Sequence, residues 1–192
     1  MNNIVVLISG GGSNMRALVQ ASTRENWAQR HRARISLVLS NRADAAGLTW
    51  AQQQGLDTAV VDHRSYTQHA NPREAFEAEL IQHIDTQQPV LVLLAGFMRI
   101  LTPGFVSHYA GRMLNIHPSL LPAFKGAHAI RDVFQAGVKE TGVSVHIVTL
   151  KLDSGRVLIQ KKIKVLKSDT LESLETKIHH VEHRLYPAAI QK

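Results

Sequence analysis

Cysteine is absent from the 192-residue sequence, which excludes a disulfide framework, a thiolate zinc site and a cysteine nucleophile. Aromatic residues make up only 5% of the chain, too few to predict a surface on which single-stranded nucleic acid stacks. No run of about 18 apolar residues occurs, so no membrane-spanning helix is expected. The apolar run from Ile4 to Ile8 is too short for a signal peptide and follows no basic region. These absences together predict a cytoplasmic protein.

Acidic residues are outnumbered, so the formal net charge is +7 and the pI is about 10.0. Such a charge suits nucleic acid, an anionic membrane or small anionic ligands. Six basic residues and one acid, Asp153, lie between Lys151 and Lys167. Lysines alternate with apolar residues in this segment, which predicts a solvated sheet face or a sheet edge protected by lysines. A nucleic-acid-binding protein is the non-enzyme alternative, but neither a nucleic-acid nor a membrane partner is expected.

Strand and helix patterns alternate along the chain, as is typical of an α/β fold. Apolar runs predict strands at residues 5–9, 35–39, 58–61, 89–94, 113–116, 143–149 and 157–165. Helices are expected to begin near Ser13, to cover about 43–54, and to begin again at Pro72 and at Asp169. Before Pro72, Asn71 is the expected N-cap, with Glu74 completing a capping box.

The predicted architecture is a single open, mostly parallel twisted sheet of about seven strands with helices on both faces. Its N-terminal half is Rossmann-like, and its last two strands form a C-terminal antiparallel hairpin. No repeat or linker interrupts the chain, which predicts one domain over residues 1–192. Ligands bind such sheets beyond the carboxyl ends of the strands, and the motifs described next all follow predicted strand ends.

The first motif, SGGGSN, joins the first strand to the first helix at residues 9–14. Glycines let the backbone approach a ligand closely, and the helix N-terminus that follows suits a phosphate. A tight turn with Ser13 as N-cap is the purely structural alternative. Gly10 and Gly12 fit a dinucleotide fingerprint, but Met15 occupies its third glycine position. The partial match leaves a nucleotide-dependent oxidoreductase as an alternative, with Ser40-Asn41-Arg42 near an NADP phosphate. Because the third glycine is absent, a monophosphate is a better candidate ligand for this loop than a pyrophosphate.

The second motif is the apolar segment AGFMRIL at residues 95–101, which follows the fourth strand. A glycine-containing apolar loop at a strand end can line a pocket for a flat heterocycle, with backbone groups pairing to ring nitrogens. Core packing beneath a loop explains these residues equally well at this point.

The third motif, NIHPSLLP, begins at Asn115, and its Asn115 and His117 point to one face of a strand. An amide and an imidazole at a strand end can stabilise an oxyanion and move a proton, or can simply hold a loop. Leu121-Pro122 is a candidate for a cis bond. Asp153, in the segment LDSG, acts with them only if it lies near His117; otherwise it is a turn residue.

A further pattern, HHVEH at residues 179–183, matches the inverted zinc-peptidase signature. A catalytic zinc usually needs a third protein ligand, and the pattern offers only His179 and His183 one helical turn apart. We therefore interpret it as a polar helix face and expect no metal.

Together these motifs resemble the glycinamide ribonucleotide formyltransferases, a family of folate-dependent purine enzymes. The likeness runs from Ile4 to about Pro187 in the segments IVVLISGGGSN, LAGFMRIL, LNIHPSLLP, TGVSVHIVT, LDSG and HRLYP. Methionyl-tRNA relatives add a C-terminal domain and hydrolase relatives an N-terminal one, so the length favours the ribonucleotide enzymes. The resemblance implies formyl transfer from 10-formyltetrahydrofolate, as co-substrate, to glycinamide ribonucleotide in IMP biosynthesis.

The resemblance also implies residue roles. It makes Asn115, His117 and Asp153 the catalytic set. The substrate phosphate and ribonucleotide would be held by Gly11, Gly12, Ser13, Asn14, Glu182 and His179. The folate would be held by Arg73, Met98, Arg99, Ile100 and Leu101, and Ser144 would orient Asp153 or its water. The nucleotide-phosphate half would be about 1–95 and the folate and catalytic half about 96–192, in a monomer or homodimer whose partners are small-molecule substrates.

Overall fold

The computed structural model describes residues 1–191 and contains two compact units, of which the first is Met1–Leu114 and the second begins at Asn115. Seven strands form one sheet in the order β3-β2-β1-β4-β5-β6-β7, in which β5 is Met113–His117. This confirms the predicted open α/β sheet. Within the described residues no helix is long and apolar enough to cross a membrane.

The first unit is built on parallel strands. Its elements are β1 Asn2–Ile8, α1 Ser13–Arg24, α2 Trp27–Arg30, β2 Ala33–Ser40, α3 Ala46–Gln53, β3 Thr58–Val60, a 3₁₀ turn His63–Tyr66, α4 Pro72–Asp85, β4 Pro89–Leu94 and α5 Pro103–His108. β1 pairs in parallel with both β2 and β4, and β2 with β3. Residues 5–8 of β1 are fully buried, because a central parallel strand is covered on both faces and therefore has a continuous apolar run.

The second unit contains the predicted hairpin. Its elements after β5 are α6 Ala129–Gln135, β6 Glu140–Ile147, β7 Val157–Lys164 and α7 Leu171–Ile190. β6 and β7 pair antiparallel, from Glu140 opposite Lys164 to Val145 opposite Ile159. At Gly142 a side chain would collide with the backbone carbonyl of Lys161, so glycine is required for this pairing.

Helix starts differ from the predictions. Asn71 precedes α4 but its side chain makes no capping hydrogen bond, so the predicted capping box there is wrong. α7 begins at Leu171 rather than Asp169, with Thr170 and Ser173 forming a capping box. Asp169 instead pairs with Lys177 at 2.7 Å. The short helices α2, α5 and α6 were not predicted, since four to seven residues hold too few turns for a clear period.

Candidate active site

The glycine loop, residues 9–14, leads from β1 into α1. Gly12 is the N-cap of α1 with a φ of 68°, a left-handed conformation that favours glycine. Ser13 is the first helical residue and no side chain caps the helix, so the alternative of Ser13 as N-cap is wrong. The first turn carries no acidic residue, which leaves the positive end of the helix dipole available to an anion.

The N-terminus of α3 supports this loop. The Gly47 amide donates to the carbonyl of Gly10 at 3.0 Å. A Cβ at Gly47 would lie 2.6 Å from Cδ1 of Ile8 and 3.0 Å from that Gly10 oxygen. The close approach of α3 therefore depends on glycine at position 47.

Ser9 links the glycine loop to the segment that follows β4. Its hydroxyl donates to Oδ1 of Asn41 at 2.6 Å and accepts from the backbone N–H of Met98 at 2.8 Å. Asn41 is 2% exposed, and Arg42 pairs with Asp44 at 2.7 Å. The residues that the oxidoreductase alternative assigned to an NADP phosphate are thus engaged within the protein.

The segment 97–102, here called the 97–102 loop, presents apolar side chains to solvent. Met98 and Ile100 are each 72% exposed. Arg73, from α4, donates to the carbonyl of Ile100 at 2.8 Å, and the Arg99 guanidinium lies 5.9 Å from the ring centre of Phe76. Within residues 1–191, the backbone groups of Arg99 and Leu101 make no hydrogen bond. The core-packing alternative is therefore wrong for Met98 and Ile100.

The predicted catalytic residues lie together in the second unit. His117 Nδ1 is 3.6 Å from one oxygen of Asp153, and both side chains are less than one-tenth exposed. The other Asp153 oxygen is 3.5 Å from Nε2 of His146. That nitrogen also lies 3.2 Å from the amide nitrogen of Asn115. A strand end of β5, one position of β6 and the loop before β7 thus form one buried polar cluster.

Asp153 is held as a carboxylate. Burial raises its pKa, but hydrogen bonding by His146 and the Gly126 N–H, with the charge of His117, outweighs burial and lowers the pKa to about 2. The Gly126 amide donates at 2.8 Å. The backbone of Asp153 has a φ of 45°, a conformation that few residues other than glycine adopt and that Asp tolerates better than most.

The segment after His117 is fixed by its own hydrogen bonds. Nε2 of His117 lies 2.8 Å from the carbonyl of Phe124, so this nitrogen is the donor and Nδ1 faces Asp153. Ser144 donates to the Ser119 carbonyl at 2.6 Å and accepts from the Leu121 N–H at 3.1 Å. The hydroxyl of Ser144 is thus engaged by the segment that follows His117, and the predicted role of Ser144 toward Asp153 or its water stays a prediction. Leu121-Pro122 is cis, as predicted.

His146 belongs to the cluster, and the sequence-based prediction omitted it. It is 2% exposed and lies on β6 two residues after Ser144. Residues two apart share one face of a strand, so a Ser and a His on the same face of β6 were the available signal. A buried imidazole needs partners: Nδ1 of His146 donates to the Ile147 carbonyl at 3.0 Å, and its Nε2 faces Asn115 and Asp153.

On α7, Glu182 is buried at 4% exposure and accepts from Nδ1 of His179 at 2.8 Å. This hydrogen bond raises the pKa of His179, and burial opposes the shift. The rings of His179 and His183 are stacked with centroids 6.4 Å apart. Among residues 1–191, no three His, Cys, Asp or Glu side chains are grouped as metal ligands.

Known proteins resemble the chain over its full length. Residues 2–190 match the family model described as formyl transferase. The phosphoribosylglycinamide formyltransferase of Escherichia coli (strain K12) is 46% identical over 98% of this chain and 85% of that protein. The trifunctional purine biosynthetic protein adenosine-3 of Bos taurus is 43% identical over 98% of this chain, which spans only 18% of that longer protein.

Solved structures agree with this relationship. The crystal structure of glycinamide ribonucleotide transformylase 1 from Symbiobacterium toebii matches with a TM-score of 0.90 and 42% identity, covering 99% of this chain and 86% of that one. Fold, identity and coverage all lead to the same group of enzymes. The chain therefore belongs to the formyl transferase family and, within it, to the phosphoribosylglycinamide formyltransferases.

Proposed function

We propose that this chain transfers a formyl group from 10-formyltetrahydrofolate to the amine of 5′-phosphoribosylglycinamide in IMP biosynthesis. The observation that carries this assignment is the buried cluster of Asn115, His117, His146 and Asp153. It combines an amide donor, two imidazoles and an ionised carboxylate, the groups that acyl transfer to an amine needs.

The folate carries its formyl group on N10, in the linker that joins a flat pterin heterocycle to the rest of the molecule. The unpaired backbone groups of Arg99 and Leu101 fit the polar edge of such a ring, and the exposed side chains of Met98 and Ile100 fit its apolar faces. Arg73, anchored on the Ile100 carbonyl, keeps further N–H groups for a folate carboxylate.

The ribonucleotide phosphate is assigned to the backbone of Gly11, Gly12 and Ser13 with the side chain of Asn14. The N-terminus of the 12-residue helix α1 supports this, because its free N–H groups and dipole favour an anion. Glu182 is assigned to the ribose or glycinamide end. His179, whose pKa the hydrogen bond with Glu182 raises, is assigned to the ribonucleotide as well.

The catalytic cluster acts on the charge that develops as the amine adds to the formyl carbon. Asn115 donates a hydrogen bond to the oxygen that becomes negative. His117 donates a second one, which requires its Nε2–H to exchange the Phe124 carbonyl for that oxygen. Asp153, ionised at neutral pH, accepts the amine proton directly or through water. As the tetrahedral intermediate collapses, the bond between the formyl carbon and N10 breaks, and N10 takes up a proton as tetrahydrofolate leaves. His146 holds Asn115 and Asp153 in place.

The test is formyl transfer from 10-formyltetrahydrofolate to the ribonucleotide by wild type, His117→Ala and Asp153→Asn. We expect kcat to fall about 100-fold or more in both variants, because each loses a group that acts in the transition state. The surface pair of His108 and Asp85, at 2.8 Å, provides matched controls: His108→Ala and Asp85→Asn should keep kcat within about twofold. Absence of wild-type turnover, or equal losses in the controls, would contradict the proposal.

A further inference from the structure

The 97–102 loop is anchored at alternate residues. The Met98 N–H donates to Ser9 Oγ at 2.8 Å, and the Ile100 carbonyl accepts from Arg73 at 2.8 Å. The Thr102 N–H donates to Glu77 at 2.8 Å. The backbone groups of Arg99 and Leu101, between these anchors, make no hydrogen bond within residues 1–191. These anchors lie on both sides of Arg99 and Leu101 and therefore restrict the directions in which positions 99 and 101 present their backbone groups.

Among these anchors, the one formed by Glu77 requires a carboxylate to be buried. It is 4% exposed, and both of its oxygens are used by Thr102, one by the backbone N–H and the other by the hydroxyl. A buried carboxylate is costly unless it is hydrogen bonded. Burial raises the pKa of Glu77, and the bonds from Thr102 oppose that shift. Arg73 lies four residues earlier on α4, so one face of this helix sends two charged side chains to the same loop.

We infer that Glu77, together with Ser9, is a positioning residue for the folate: it fixes the backbone edge of Arg99 and Leu101 that receives the heterocycle. The inference rests on the proposed function. Neither residue has to touch the folate. If an anchor is lost, the loop occupies its binding orientation only part of the time, and the apparent folate affinity falls by that fraction. The chemical step on a bound substrate is unchanged.

The test compares Glu77→Ala with Glu77→Gln. Glu77→Ala removes both acceptors and should raise the KM and Kd of the folate about tenfold, while kcat and the ribonucleotide KM stay within about twofold. Glu77→Gln should restore most of the affinity, because its amide oxygen can accept from the Thr102 N–H and its amide nitrogen can donate to the Thr102 hydroxyl.

Controls separate positioning from stability. Leu80, fully buried on the same helix, has no part in the anchors, so Leu80→Ala should lower Tm without raising the folate KM. Ser9→Ala tests the second anchor if Glu77→Ala does not fold, and should also weaken folate binding. Its control is Ser36→Ala, which changes a buried serine of β2 whose hydroxyl donates to the Ile4 carbonyl.

The inference is overturned if the anchor variants keep wild-type folate affinity, or if Leu80→Ala loses as much folate affinity as Glu77→Ala. It is also overturned if Glu77→Ala raises both substrate KM values equally. A direct measurement of folate binding by the wild type distinguishes a failure of the positioning role from a failure of the proposed function. If the wild type does not bind the folate, the proposed function itself is contradicted. If the wild type binds it and the anchor variants bind it equally well, only the positioning role is contradicted.

Discussion

Among single residues, Asp153 combines features that a merely structural turn residue does not need. Its backbone occupies the left-handed region, its side chain is 7% exposed, and His117, His146 and the Gly126 N–H all face its oxygens. The backbone conformation costs on the order of 1 kcal/mol for a residue other than glycine. Strain and burial on one carboxylate, opposed by several donors, are typical of functional sites.

The lowered pKa of Asp153 makes a stability prediction with a definite sign. Its folded-state pKa of about 2 lies below the ordinary value of 3.8. Above about pH 4 the ionised side chain therefore stabilises the fold by about 2 kcal/mol. This contribution is lost as the pH falls toward 2. Asp153→Asn cannot titrate. Denaturant unfolding from pH 6 to pH 2.5 should show the stability difference between wild type and Asp153→Asn shrinking, whereas a constant difference would contradict this account.

The individual residue roles differed in how far the sequence could predict them. Asn115 and His117 follow from the two-residue period of a strand. The approach of Asp153 does not, because it depends on long-range pairing that brings the loop before β7 to β5. His146 was missed because the strand period places it on the face of Ser144 but does not identify Asn115 and Asp153 as its neighbours.

At the level of secondary structure, the glycine loop and the N-terminus of α3 are packed against each other, so a change in one displaces the other. Gly47→Ala places a methyl group against Cδ1 of Ile8 and against the Gly10 carbonyl, and that carbonyl cannot retreat without moving the loop. Alanine favours a helix by up to about 1 kcal/mol over glycine, but overpacking costs about 1–3 kcal/mol. We therefore expect a net loss of stability and a higher ribonucleotide KM.

Unfolding free energies and substrate KM values check this expectation. Gly104→Ala is the control, since position 104 lies in α5 and an added Cβ would make only ordinary contact, at 3.7 Å from Thr102 Oγ1. That variant should be neutral or slightly stabilised. If Gly47→Ala is as stable as wild type and has the wild-type ribonucleotide KM, the expectation is contradicted, and the contact between α3 and the glycine loop tolerates a methyl group.

The elements themselves were predictable where a long apolar period was present. β4 agrees with its predicted bounds, and Phe76, Leu80 and Ile84 form the buried stripe of α4. Helix caps were less predictable because several polar residues compete near each start. At α7, Asp169 and Thr170 are both capable N-caps, and the pairing of Asp169 with Lys177 leaves Thr170 to cap. Such a choice depends on three-dimensional neighbours rather than on composition.

For the whole molecule, the net charge of +7 is expected to raise the rate at which anionic substrates associate. Both proposed substrates are anionic, and a basic protein attracts such ligands at a range that salt shortens. We expect kcat/KM to fall as the KCl concentration rises, with kcat at saturation nearly unchanged. The lysines of β7 contribute to this field: Lys162 is 72% exposed and pairs with Glu140, and Lys164 is exposed.

Neutralising two of these lysines separates the long-range field from contacts within the site. The double variant Lys162→Gln/Lys164→Gln removes two positive charges and takes the net charge from +7 to +5. Since neither residue belongs to the proposed substrate sites, its kcat should equal that of wild type, and its kcat/KM should respond less steeply to salt. Sucrose at matched viscosity controls for diffusion. An unchanged salt dependence would locate the electrostatic attraction in the site residues alone, with the basic β7 strand serving only to protect a sheet edge.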